Sequence, residues 1–331
     1  MRPTGRGLAV VVVVIASLAM ARAFGPRALN AVVAPLAVAA LVGLIAVVRA
    51  GEPTIDRRPV AAGFPGETRP VSLSIDGGGA TPARIDDAVD DGLSATGNVA
   101  TTTLTDDYRY EIELEERGEH ELGPLSIAVT DAFGLVRRRF ELPDRGRVLV
   151  YPRVYELRGD GAELRSALSA TRGFDRGEFD HLREYERGDP VRDVHWTATA
   201  KRADDELLVA ADAADGDGRT ATIVAEASPG QGDEMAAATA SVATALLEAA
   251  VPVRVVTPEG TRSASGRDDR RDLLELLATV GPGEVEGDDR READVLVRAD
   301  AGGTVVVVGD REFPFDRLCG EITERTEPAR G

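Results

Sequence analysis

Thr220 to Val256 reads TATIVAEASPGQGDEMAAATASVATALLEAAVPVRVV. Thr220 to Ala225 is a short apolar run with strand character. Glu234 to Ala250 is Ala-rich, with Ala238, Val242, Leu246 and Leu247 recurring at helical spacing. Pro252 to Val256 is a second strand. The pattern continues downstream. Arg271 to Val280 predicts a helix carrying Leu273, Leu274, Leu276 and Leu277, closed by Gly281. Ala293 to Val297 and Thr304 to Val308 predict strands, the latter ended by Gly309-Asp310. Alternation of strand and helix predicts an α/β domain with a mainly parallel sheet and helices on both faces. In such a sheet, the loops at the C-terminal strand ends are the default binding place.

Upstream the period changes to two. Val71, Leu73 and Ile75 alternate with polar residues, as do Tyr108, Tyr110, Ile112 and Leu114. Leu125 to Val129 and Val148 to Tyr151 follow in the same manner. Asp76-Gly77-Gly78-Gly79 and Asp91-Gly92 supply loops. Together they predict an antiparallel, immunoglobulin-like β-sandwich over residues 51–157. Glu116 to Pro124, ERGEHELGP, places a glycine turn between strands, and His120 reads as a strand residue. Thr130 to Leu135, TDAFGL, is a turn with an aromatic plug.

The chain opens on two apolar runs. Gly7 to Ala21 is flanked by Arg2, Arg6 and Arg22; Ala31 to Val48 is closed by Arg49. Gly25-Pro26 marks a turn between them. The second run is about long enough to cross ~30 Å of hydrocarbon. Residues 1–50 therefore predict a transmembrane helical hairpin and a multi-pass cell-membrane location. The alternative is a cleaved signal peptide ending at Ala19-Met20-Ala21. Flanking arginines are nearly balanced, so the positive-inside rule favours cytoplasmic soluble domains only weakly. Neither run contains an ionisable residue, which argues against a transport pathway.

The 331 residues carry 57 Asp and Glu against 39 Lys and Arg, a formal charge of −18. Lys201 is the one lysine. Such a surface repels nucleic acid, which is excluded as a partner. The composition resembles that of proteins from extreme halophiles, where salt screens self-repulsion. Cys319 is the sole cysteine, so no intrachain disulfide forms. It reads as a small, buried or half-buried side chain.

Phe174 to Asp212, FDRGEFDHLREYERGDPVRDVHWTATAKRADDELLVAAD, holds the sole Trp, the sole Lys and two of the three His. Asp189-Pro190 is a helix entry, with Asp189 as cap and Pro190 at the first helical position. Val191, Val194, His195 and Ala198 then share one face, so His195 reads as a packed histidine. Trp196 reads as a packing anchor or part of a contact patch. Glu184, Glu186, Asp189 and Asp193 stand beside Arg183, Arg187 and Arg192 as a charge network. An acid/base pair of Glu184 and Asp189 would make a hydrolase. The sequence offers no nucleophile or oxyanion donor to accompany it. No enzyme and no cofactor are expected.

Leu182-Arg183-Glu184-Tyr185, Gly188-Asp189 and Val194-His195-Trp196-Thr197-Ala198-Thr199-Ala200-Lys201 resemble the signature of the family catalogued as domain of unknown function number 58. ERGEHELGP, TDAFGL, Val148 to Leu157 and the N-terminal hairpin fit as well. The resemblance implies a membrane anchor, a β domain, and a von Willebrand factor A-like α/β domain over residues 158–320, before a disordered tail at 321–331. It also implies association with MoxR-type AAA+ ATPases and other von Willebrand A-domain proteins. The interaction motif would be Arg183, Glu184, Tyr185, Gly188, Asp189, His195, Trp196 and Lys201. A von Willebrand A domain binds Mg²⁺ through an Asp-x-Ser-x-Ser loop, whose oxygens suit a hard cation. Here the matching place reads Glu226-Ala227-Ser228-Pro229-Gly230. The second Ser is missing, so no metal site is expected; Glu226 and Ser228 would be the first ligands if a metal bound. The expectation is a membrane-anchored adaptor; the alternative is a metal-dependent ligand-binding or adhesion module.

Overall fold

The computed structural model describes residues 2–24, 30–49, 51–76, 82–103, 107–131, 133–172, 182–184, 208–210, 220–266 and 269–319. The chain divides into two compact units, Met1–Tyr151 and Pro152–Gly331.

The first unit is a sandwich. One sheet orders β2 (Thr54–Arg57), β3 (Thr68–Asp76), β7 (Asp107–Leu114) and β5 (Leu93–Thr96). The other orders β1 (Arg2–Pro3), β9 (Val136–Leu142), β8 (Gly118–Thr130), β4 (Pro82–Val89) and β6 (Val99–Thr103), with β10 (Gly146–Val150) also paired to β8. Every pairing is antiparallel. The period-two residues do what the sequence predicts. Val71, Leu73 and Ile75 meet Ile85, Ile112, Leu125, Ile127 and Phe140 in one shared core. Side chains alternate across a strand, so the polar partners are left outside. At Gly123 the backbone φ is 100°, and a Cβ there would collide with the Asp144 carbonyl oxygen. That glycine lets β8 pass from β10 to β9.

The two apolar runs form α1 (Gly5–Phe24) and α2 (Asn30–Arg49), packed beside each other. Thr4 fixes the start of α1 by donating its hydroxyl to the Gly134 and Leu135 carbonyls. Gly43 of α2 leaves room for the Asp131 carboxylate; a Cβ would stand 2.7 Å from Oδ2. Gly7 of α1 likewise abuts the Leu135 carbonyl, so both helices pack against the β8–β9 turn of the sandwich. Among the described residues, no helix is long and apolar enough to cross a membrane. The transmembrane hairpin, the membrane as a partner and the multi-pass location are corrected accordingly.

The second unit is built on a sheet ordered β15 (Gly260–Ala264), β14 (Val253–Thr257), β13 (Ala221–Ala227), β16 (Val295–Asp300), β17 (Gly303–Val308) and β18 (Arg311–Pro314). Only β13–β14 and β13–β16 are parallel; the other three pairings are antiparallel. The expected mainly parallel, von Willebrand A-like sheet is thus corrected to a mixed one. The reason is loop length. Pro258-Glu259, Ala301-Gly302 and Gly309-Asp310 are two-residue connections, and a parallel crossover requires about a dozen residues or more. Three hairpins result, and the two units together are dominated by antiparallel and mixed sheets.

The helices are few. After the 3₁₀ turn Arg158–Gly161 come α3 (Ala162–Arg172), α4 (Gly232–Glu248), α5 (Arg270–Thr279), α6 (Asp288–Arg291) and α7 (Phe315–Leu318). α4 is the central one. Met235, Ala236, Ala238, Ala240, Val242, Ala243 and Leu246 are all fully enclosed, and it packs against β13, β14, β16 and α5. Its small side chains allow that close approach on several sides. Ser241 also accepts the Tyr155 N–H at 2.9 Å, which holds the segment entering the unit against α4. Tyr155 in turn meets Phe315 edge-on at 5.8 Å.

Candidate functional site

The central motif is described only in part. Arg183 and Glu184 lie on β11 (Leu182–Glu184), paired antiparallel with β12 (Leu208–Ala210). Arg183 stands opposite Val209, and Glu184 opposite Leu208. Tyr185, Gly188, Asp189, His195, Trp196 and Lys201 lie outside the described residues.

Glu226 and Ser228 sit where β13 ends and α4 is about to begin, at the place where strand order reverses between β14 and β16. This is the default crevice of an open α/β sheet. Here it is filled by the chain itself. The Ala227 N–H donates to the Gly283 carbonyl at 2.9 Å, so residues 281–286 run alongside the end of β13. Val285 joins Val224 and Val256 in a small apolar cluster edged by Ala293 and Leu296. Gly283 is required for this approach, because a Cβ would come within 2.9 Å of Pro258. The buried Glu226 carboxylate accepts the Val285 N–H at 3.2 Å and pairs with Arg290 at 3.2 Å. Ser228 donates its N–H to the Ala299 carbonyl and stands exposed at the rim. The geometry makes Glu226 the clamp of a closed seam. Arg290 already supplies the positive charge a cation would bring.

A second polar cluster lies inside the sandwich, and sequence reading passed over it. Arg57 donates to Asp87 at 2.8 and 3.0 Å and to Asp144 at 2.9 Å. The Tyr110 hydroxyl donates to Asp87 Oδ2 at 2.7 Å. Burial works against the Arg57 charge, but Asp87 and Asp144 outweigh it and hold the guanidinium above its usual range. Burial first, and the Asp87 charge second, push the Tyr110 and Tyr108 hydroxyls upward. The Asp87 carbonyl accepts from Asn98 at 2.9 Å. The cluster bridges the two sheets and has its hydrogen-bonding partners within itself. One signal was available: Ala83, Ile85 and Asp87 share the inward phase of β4, so a charge stands where an apolar residue is expected.

His120 is nearly buried on β8, as a strand residue. Its Nε2 is 2.7 Å from the Glu116 carbonyl and its Nδ1 is 3.7 Å from Asp90. Cys319 is half-buried, with its thiol pushed up to about 11, by burial first and by Asp316 second. A thiol so placed is a poor nucleophile at neutral pH.

No family model and no curated protein matches the chain. Solved structures similar to it each cover about a third of this chain. The PapD-like domain 7 of human CEP192 is 11% identical over 31% of this chain and 87% of its own, with a TM-score of 0.22. WR4, a C. elegans MSP family member, is 9% identical over 30% and 98%, with a TM-score of 0.22. The YadV chaperone is 12% identical over 35% and 59%, with a TM-score of 0.23.

Proposed function

We propose that this chain is a non-catalytic interaction protein, an adaptor that works through its surfaces rather than through an internal pocket. The observation that supports this reading is the filled crevice. At the strand ends, where an α/β sheet would hold a small ligand, Glu226, Arg290 and Val285 are committed to one another. The polar cluster around Arg57 is closed in the same sense. The resemblance of the central motif adds a partner class, a MoxR-type AAA+ ATPase acting in complex assembly.

The test is affinity purification of the tagged full-length chain from its native cells, with ATP and without nucleotide. It is repeated with Asp189→Asn and Trp196→Ala. Co-purification of an AAA+ ATPase with the native chain, lost in folded variants, supports the adaptor reading. Recovery of the chain alone under both conditions contradicts it.

A further inference from the structure

The larger sandwich sheet carries an arginine-bearing outer face. Directly opposed residues of an antiparallel pair point to the same side. The register sets Arg2 of β1 opposite Arg137 of β9, and Arg139 of β9 opposite Ala128 of β8. Ala128 is in turn opposite Arg84 of β4, and Arg84 opposite Thr101 of β6. Arg2, Arg84, Arg137 and Arg139 therefore share one face. It is the outward face, because the intervening positions Ala83, Ile85, Ile127, Val129 and Phe140 are in the core. All four arginines are exposed.

This face is out of character for the chain. Acidic residues outnumber basic ones 57 to 39, so an exposed arginine should readily find a carboxylate. Arg139 reaches Ser126 at 2.7 Å and lies 3.7 Å from the exposed Glu141. Arg2, Arg84 and Arg137 have no carboxylate partner among the described residues. Between the arginines stand Ala128 and Thr130, and Thr101 flanks Arg84 on its far side; these short side chains leave a shallow floor. β1 also covers only the first two residues of β9. Beyond Arg137, no strand pairs that edge of β9 among the described residues.

The spacing selects the occupant. Arg2 and Arg84 stand three strands apart, about 14 Å at ~4.8 Å per strand. Arg137 and Arg139 are about 7 Å apart along β9 at ~3.4 Å per residue. One small anion does not span that area. An extended chain with a carboxylate at every second residue repeats at the same ~7 Å interval. We infer that the outer face of β1, β9, β8 and β4 is a docking surface for an extended acidic segment of a partner protein, held by Arg2, Arg84, Arg137 and Arg139. The inference rests on the adaptor reading and gives it a surface.

The probe is a labelled decapeptide of alternating Glu and Thr, titrated into the full-length chain by fluorescence anisotropy at about 0.1 M salt and again at about 1 M, where the Debye length falls to ~3 Å. Saturable binding is expected, weakening at least tenfold in Arg137→Gln/Arg139→Gln and severalfold in Arg84→Gln. Arg137→Lys, which keeps the charge but loses the fork, should bind at an intermediate level. Arg109→Gln on the other sheet should leave binding unchanged. Circular dichroism confirms that each variant is folded. The inference is overturned if the native chain does not bind the peptide. Equal binding of a Gln-for-Glu peptide, or full binding by the folded double variant, also overturns it. Displacement of the peptide by low-millimolar inorganic phosphate would mean a simple anion site instead. Self-association abolished by the double variant would mean that the occupant is a second copy. Loss of this surface with ATPase co-purification intact would leave the adaptor reading standing.

Discussion

Arg57 of β2 and Asp87 of β4 meet through two hydrogen bonds of 2.8 and 3.0 Å, joining the two sheets of the sandwich across their shared core. Both side chains are almost completely enclosed. Such a pair adds little net stability over well-packed apolar residues, but losing one member strands the other charge. Arg57→Met is therefore expected to cost about 3–5 kcal/mol. Arg57→Met/Asp87→Leu should cost clearly less than the sum of the two single variants. Hydrogen exchange of β3, β4 and β8 amides, read by mass spectrometry on the full chain, checks both.

The same cluster sets an alkaline limit. Tyr110 has a raised folded pKa, from burial and from Asp87, whereas its unfolded value is near 10. Below pH 10 both states keep the proton, and the stabilisation is fully present. Above pH 10 the unfolded chain ionises first, so stability falls as pH rises, by on the order of 1.4 kcal/mol per pH unit for this tyrosine. Tyr110→Phe should start less stable, because it loses the bond to Asp87, but show a shallower decline. Urea unfolding between pH 8 and 11 measures the two slopes.

Asp131 holds the β8–β9 turn. Its carboxylate accepts the N–H groups of Phe133, Leu135 and Val136 at 3.0, 2.7 and 2.6 Å. Asp131→Ala leaves these donors without that partner and should cost about 2–4 kcal/mol. Asp131→Asn keeps a carbonyl oxygen and should cost about half as much. Thermal unfolding ranks them, and faster exchange at Leu135 and Val136 places the loss at the turn.

Cys319 should react slowly. Burial and Asp316 raise its thiol to about 11, so little thiolate is present at pH 8. An aromatic disulfide reagent should label it much more slowly in the folded chain than in denaturant. The folded rate should climb steeply only as pH approaches 11.

Local pattern carried some of this architecture and not the rest. The phase of Val71, Leu73 and Ile75 identified the sandwich core, because a strand has only two faces and water selects between them. The enclosed face of α4 was equally visible in its Ala, Val and Leu spacing. Strand–helix alternation by itself points to a parallel sheet, whereas the two-residue turns Ala301-Gly302 and Gly309-Asp310 allow only hairpins, and the turns decide the pairing. The apolar N-terminal runs were read by composition, and composition does not show that Gly7 and Gly43 set α1 and α2 against the Leu135 carbonyl and Asp131. The Arg57 cluster depends on Asp87 and Asp144, 30 and 87 residues away in the chain, so no local pattern brings them together. Glu226 was found as a candidate residue, but its commitment to Arg290 and Val285 appears only once residues 281–286 are seen beside β13.

The closed seam at the end of β13 is the central claim, and hydrogen exchange at the Ala227 and Val285 amides tests it most directly. Both are hydrogen-bonded in the seam, Ala227 to Gly283 and Val285 to Glu226. In the full-length chain they should be protected nearly as well as the Ile223 and Val224 amides. Glu226→Ala should release Val285 at least tenfold while leaving Ile223 unchanged. Exchange of native Ala227 and Val285 at the rate of an exposed loop, with Ile223 still protected, would mean an open crevice and would contradict the account.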